Sequence, residues 1–141
     1  MLECELLGRI SRSAQMGCIG IDAVLDHADD ADFRAALLDQ RAEYRAIDAA
    51  ALGLIAHRGG RARPVPAMAS RSARAMARMQ TAMNGSSSHI AGMMIQGNTK
   101  GLVKNLRDLH AYSGGDVQAG ALARRMVAAE LANIEQMKPY L

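Results

Sequence analysis

The sequence predicts an all-α chain, folded over residues 1–141 as one up-down-down-up four-helix bundle with a short extra helix in the crossover. Three observations carry this expectation. The first is composition: half of the residues are hydrophobic, yet the chain holds no Trp, one Phe and three Tyr against ten Met and abundant Ala, which favours helix over sheet. The second is periodicity, with apolar residues recurring at alternating spacings of three and four. The third is punctuation, because Asp, Ser, Gly and Pro fall where helices must start and stop.

Leu7, Ile10, Ala14, Gly17, Ile21, Val24 and Ala28 mark the seam of a first helix. Phe33, Leu37, Gln40, Tyr44, Ile47, Ala51 and Leu54 mark the second. Ala28-Asp29-Asp30 is the turn between them and offers an aspartate to cap the second helix. Gly59-Gly60 ends that helix, and Arg61 to Pro66, with two prolines, is a loop. Residues 67–84 read as the short extra helix, with Met68, Met76, Met79 and Met83 on one face and Arg71, Arg74 and Arg78 on another. Ser86, Ser87 or Ser88 caps a third long helix that runs to about Tyr112, with Ile90, Met94, Asn98, Leu102, Leu106 and Leu109 inward. Ser113-Gly114-Gly115-Asp116 is a break and a cap. The last helix runs to about Lys138, with Ala123, Val127, Glu130, Ile134 and Leu141 in phase. Glycines 17, 20, 53, 92, 97, 101 and 120 fall inside helices, where each costs roughly 1 kcal/mol against Ala. They point to close helix approach or to room left within the bundle.

The net charge of +3 conceals an asymmetry. Residues 1–48 carry ten acids and five bases, residues 49–107 nine bases and no acid, and residues 108–141 four acids and three bases. The Arg stripe of the crossover is an anion-binding candidate through Arg71, Arg74 and Arg78. Ion pairing to the acidic first half is the competing explanation. No apolar run approaches the roughly 20 residues of a membrane span, so no membrane partner is expected. The acidic start lacks the basic region of a signal peptide, and Cys4 and Cys18 fit neither a disulfide framework nor a metal-type pair. A cytoplasmic location follows as the expectation. Met16 and Ile19, off the main stripe of the first helix, suggest a second buried face and hence a homo-oligomer, a dimer as first guess.

Two helices and a turn, a long crossover, then two helices and a turn is the ferritin-like plan. Ser87-Ser88-His89-Ile90-Ala91-Gly92-Met93-Met94-Ile95-Gln96-Gly97-Asn98-Thr99 resembles a segment of small bacterial ferritin-like bundles of the clostridial type. Ala14-Gln15-Met16-Gly17 and the ending Asn133-Ile134-Glu135 before Tyr-Leu are similar too. The resemblance covers most of the chain; it implies a ferritin-like fold and brings no established activity. The wider superfamily holds two metals with a Glu from each of two helices and Glu-x-x-His from the other two. Here Glu43 is followed three residues on by Ala46, and Glu130 by Asn133, so both histidines are missing.

The candidate site is a polar layer. Gln40, Glu43, Asn98 and Glu130 lie near helix midpoints and in phase, or nearly so, with apolar arcs, which predicts one shielded mid-bundle cluster. Two carboxylates and two amides suit a hard cation or a small polar ligand; a satisfied buried hydrogen-bond network, with a raised-pKa Glu or an Arg partner, is the plainer explanation. His89, at a helix N-terminus one turn before Met93, is a ligand-binding candidate because the dipole there favours neutral imidazole. No P-loop, G-x-S-x-G or dinucleotide fingerprint occurs. The functional expectation is a non-enzymatic bundle protein with a polar layer and no cofactor. The alternatives are an iron or manganese protein centred on Glu43 and Glu130, and a nucleic-acid-associating protein that uses the Arg-rich crossover.

Overall fold

The computed structural model describes residues 1–68, 71, 74 and 85–141. Among them the chain forms four long helices and no strand: α1 (Glu3–Leu25), α2 (Ala31–His57), α3 (Ser87–Ala111) and α4 (Val117–Met137), followed by a 3-10 turn at Lys138–Tyr140. The expected short helix at 67–84 lies mostly outside the described residues, as does Arg78.

Each boundary has a local cause. Glu3 and Glu5 place negative charge at the start of α1, where the helix dipole favours it. Asp30 caps α2, its side chain accepting from Phe33 N–H at 2.7 Å. The guanidinium of Arg34 donates to Leu25 C=O at 2.6 Å, so the start of α2 also closes the open end of α1. At the end of α2, Gly59 adopts φ +70, and Gly60 N–H bonds back to Ile55 C=O at 2.9 Å. This left-handed cap ends the helix and turns the chain. Ser86 caps α3 through His89 N–H at 3.2 Å, and Asp116 caps α4 through Ala119 N–H at 3.0 Å.

One apolar core joins the helices. Leu6, Leu7, Ile10, Ile21 and Val24 of α1 pack with Phe33, Leu37, Ile47 and Ile55 of α2, with Ile90 of α3 and with Met126 and Met137 of α4. The inward arc of α4 lies one residue to the side of the expected one. Leu122, Ala123, Met126, Ala129, Glu130 and Asn133 are buried, Val127 and Ile134 sit at the margin, and Leu141 is exposed. Polar clamps supplement the core: Ser11 Oγ donates to Asp48 at 2.6 Å between α1 and α2, and Arg9 donates to Asp108 at 2.8 Å between α1 and α3. No helix among the described residues is long and apolar enough to cross a membrane.

The far end of the bundle is fastened by Arg58, which grips Asp116 with two hydrogen bonds of 2.5 and 2.9 Å. The Arg58 hydrogen bond, with a smaller contribution from Ala119 N–H, holds the Asp116 carboxyl below its ordinary 3.8. A carboxyl with a depressed folded-state pKa stabilises the fold above its unfolded pKa and loses that contribution as pH falls through the folded value. Asp116→Asn keeps an oxygen for the cap and loses the charge pair. It is expected to unfold at lower urea than the parent at neutral pH, with the gap narrowing as pH falls below 3.8; urea midpoints across an acid series check this.

Candidate functional site

The polar layer centres on Tyr44 of α2. Its hydroxyl lies 2.8 Å from Asn98 Oδ1 of α3 and 3.1 Å from Glu130 Oε2 of α4. Asn133 Nδ2, one turn beyond Glu130, donates to the Tyr44 hydroxyl and to Asn98 Oδ1, both at 3.1 Å. Asn98 Nδ2 donates back to Met94 C=O at 2.7 Å. Tyr44, Asn98, Glu130 and Asn133 are all buried.

Hydrogen counting shows which protonation state the layer favours. Tyr44 carries one hydroxyl hydrogen, and two acceptors compete for it. With Glu130 protonated, the carboxyl donates to Tyr44, Tyr44 donates to Asn98, and Asn133 serves both remaining acceptors. With Glu130 ionised, Tyr44 must turn to the carboxylate and Asn98 keeps only the bond from Asn133. Burial points the same way. Desolvation raises the Glu130 carboxyl from 4.5 to about 7, opposed by the hydrogen bond from Tyr44. Desolvation, and next the charge of Glu130, raise the Tyr44 hydroxyl far above its ordinary value, so it remains a neutral donor.

Two glycines let the backbones reach this layer. A Cβ on Gly17 would stand 2.5 Å from the Tyr44 ring, and one on Gly101 would stand 2.7 Å from Glu130 Oε1. The glycines between them do something different: a Cβ on Gly20 or Gly97 would meet nothing within 4 Å. The result is a cleft of about 240 Å³ between α1 and α3. Val24, Met93 and Met94 form apolar walls; Tyr44, Asn98 and Glu130 form a polar floor. Glu130 Oε1 has no hydrogen-bond partner among the described residues, so the floor retains one free acceptor.

The expected cluster therefore forms in part. Asn98 and Glu130 meet as the phase argument requires. Glu43 does not join them. It lies on the far side of α2, 40% exposed along its side chain, and pairs with Arg125 at 2.6 and 3.1 Å. Gln40 is buried, but its Nε2 donates to Gln136 at 2.9 Å. Gln40 and Glu43 line a separate groove between α2 and α4. His89 stands at the start of α3, outside the cleft, with its Nε2 buried and unpartnered among the described residues. Arg71 and Arg74 are exposed. Tyr44 and Asn133 are the members that the sequence reading missed. Tyr44 stood in the seam of α2 as an apolar ring, and Asn133 was weighed only as an absent histidine, although a residue three after Glu130 must share its face.

A pair of iron or manganese ions does not fit this donor set. Such centres draw carboxylates from several helices, whereas this layer offers one carboxyl, a phenol and two amides, and Glu43 is committed to Arg125. Among the described residues no three His, Cys, Asp or Glu side chains converge. Comparison with known proteins finds no matching family model, curated protein or solved structure.

Proposed function

We propose that the chain is a non-enzymatic binding protein on the ferritin-like plan, and that it takes one compact small molecule in the α1–α3 cleft. The up-down-down-up course is supported by paired contacts. Arg9 meets Asp108 and Ser13 meets Asn105, so α3 opposes α1. Gln40 meets Gln136, Tyr44 meets Asn133 and Arg58 meets Asp116, so α4 opposes α2.

The observation that carries the binding reading is the unfilled seam between Gly20 and Gly97, which ends on a buried carboxyl with a free oxygen. Helix glycines are costly, and at these two positions no close backbone contact repays that cost. A site with apolar walls and a few convergent polar groups is the usual form of a small-ligand pocket. At about 240 Å³ the cleft suits a ligand with a small apolar body and one polar end that donates to Glu130.

Gly97→Leu tests this. The side chain would project into open space, so the variant is expected to fold as well as the parent and to gain about 1 kcal/mol from helix propensity. Phenol, benzylamine and short alcohols are the probes, read by thermal shift. At least one is expected to raise the parent's Tm and to leave the Gly97→Leu variant unmoved. Failure of every probe, or equal shifts in both proteins, would overturn the reading.

A further inference from the structure

A second concavity, of about 510 Å³, lies on the outer side of α1 where the loop after α2 returns to it. Its formation follows from the left-handed cap at Gly59. Gly60 comes so close to α1 that a Cβ there would stand 2.9 Å from Cys4 Sγ. This contact pins the chain beside the first turns of α1, and Arg61 and Arg63 then line the concavity together with Arg9 and Arg12. Gly8, one turn before Arg12 on the same face, keeps the floor low between them.

Three of the four guanidiniums lack an ion-pair partner. Arg9 is paired with Asp108 and Glu5. Arg12, Arg61 and Arg63 make no ion pair with any described carboxylate. The sequence supplies no acid beside Arg61 and Arg63, since residues 49–107 contain no Asp or Glu. Glu5 is the only acid lining the concavity. We infer that the concavity is a binding site for a phosphate-bearing small molecule, held by Arg12, Arg61 and Arg63 with Arg9 at its edge. Guanidinium forks match phosphate oxygens in geometry as well as in charge, and here three that have no ion-pair partner line one concavity, whose single carboxylate, Glu5, is paired with Arg9.

The site is separate from the α1–α3 cleft, and its test is separate too. Inorganic phosphate, pyrophosphate and ADP are titrated by calorimetry at matched ionic strength, with chloride as the reference anion. At least one phosphate compound is expected to bind saturably with one site per chain. Arg63→Gln lies on an exposed loop and cannot unfold the bundle; it is expected to weaken that binding about tenfold, as loss of a charge-assisted hydrogen bond does. Arg12→Gln is expected to act at least as strongly, with helix content by circular dichroism as its folding control. Arg74→Gln, an exposed arginine outside the concavity, is expected to change affinity less than about twofold, the range of a distant surface charge. No saturable binding of any of the three probes would overturn the inference. So would equal weakening by Arg74→Gln, or retention of duplex DNA that none of the three small anions displaces.

Discussion

Replacing Glu130 with glutamine is expected to stabilise the protein at pH 8 by up to about 3 kcal/mol and to change little at pH 4.5. The folded-state pKa of about 7 lies above the ordinary 4.5. Between these values the folded chain holds a proton that the unfolded chain has released. Stability from this group is therefore complete below about pH 4.5 and is lost as pH rises to about 7. At about 1.4 kcal/mol per pH unit, the difference amounts to about 3 kcal/mol. Glutamine is permanently neutral, and its amide donates to Tyr44 where the protonated acid would. The measurement is ΔG of unfolding in urea for parent and variant from pH 4.5 to 8. The parent should fall relative to the variant across that window. Parallel curves, or a variant less stable than the parent at pH 8, would show that the carboxyl is ionised in the fold and compensated by some other group.

Gly17→Ala is expected to destabilise by about 2 kcal/mol, the reverse of what an added methyl does in an ordinary helix. Alanine is favoured over glycine by about 1 kcal/mol in a helix interior. Here, however, its Cβ would lie 2.5 Å from a ring carbon of Tyr44. The ring cannot step aside freely, because its hydroxyl is tied to Asn98, Glu130 and Asn133. Overpacking of a fixed core group costs roughly 1–3 kcal/mol, and the pinned ring places this site at the upper end. In a Tyr44→Ala background the obstacle is absent, and the same change is expected to be neutral or stabilising. A double-mutant cycle thus predicts a coupling of about 3 kcal/mol. Additive effects would mean that the ring yields easily and that the polar layer does not hold it.

The long helices were legible because their signals are local. The Asp30 cap, the Gly59-Gly60 ending, the Ser86 cap and the Asp116 cap depend on residues a few positions apart, and the structure places each as expected. Asn98 and Glu130 were legible because a polar residue at the centre of an apolar arc must go inside. Glu43 misled because it stands about 60° off that arc, and its fate was decided by Arg125, 82 residues away in sequence. Pairings of that kind follow from helix rotation, which spacing alone does not fix. Tyr44 was hidden by its dual character: an aromatic ring in a seam reads as packing, while its hydroxyl organises three other side chains. The basic concavity was hidden because its arginines come from two stretches some fifty residues apart, joined only by the glycine cap of α2.

The Tyr44 cluster also governs how the two helix hairpins find each other. Leu and Ala seams repeat every turn, so an apolar interface alone tolerates a slip of one helix along another by about 5.4 Å. A slip of α2 against α4 would withdraw the Tyr44 hydroxyl and leave Glu130, Asn98 and Asn133 buried without their hydrogen-bond partner on α2, at roughly 1–3 kcal/mol for each group. It would also part Arg58, roughly 21 Å beyond Tyr44 at the end of α2, from Asp116 at the start of α4. Two polar locks so far apart cannot both be met by a shifted or tilted docking. The α1–α2 and α3–α4 hairpins therefore have a single register in which the Tyr44 cluster and the Arg58–Asp116 pair are both served.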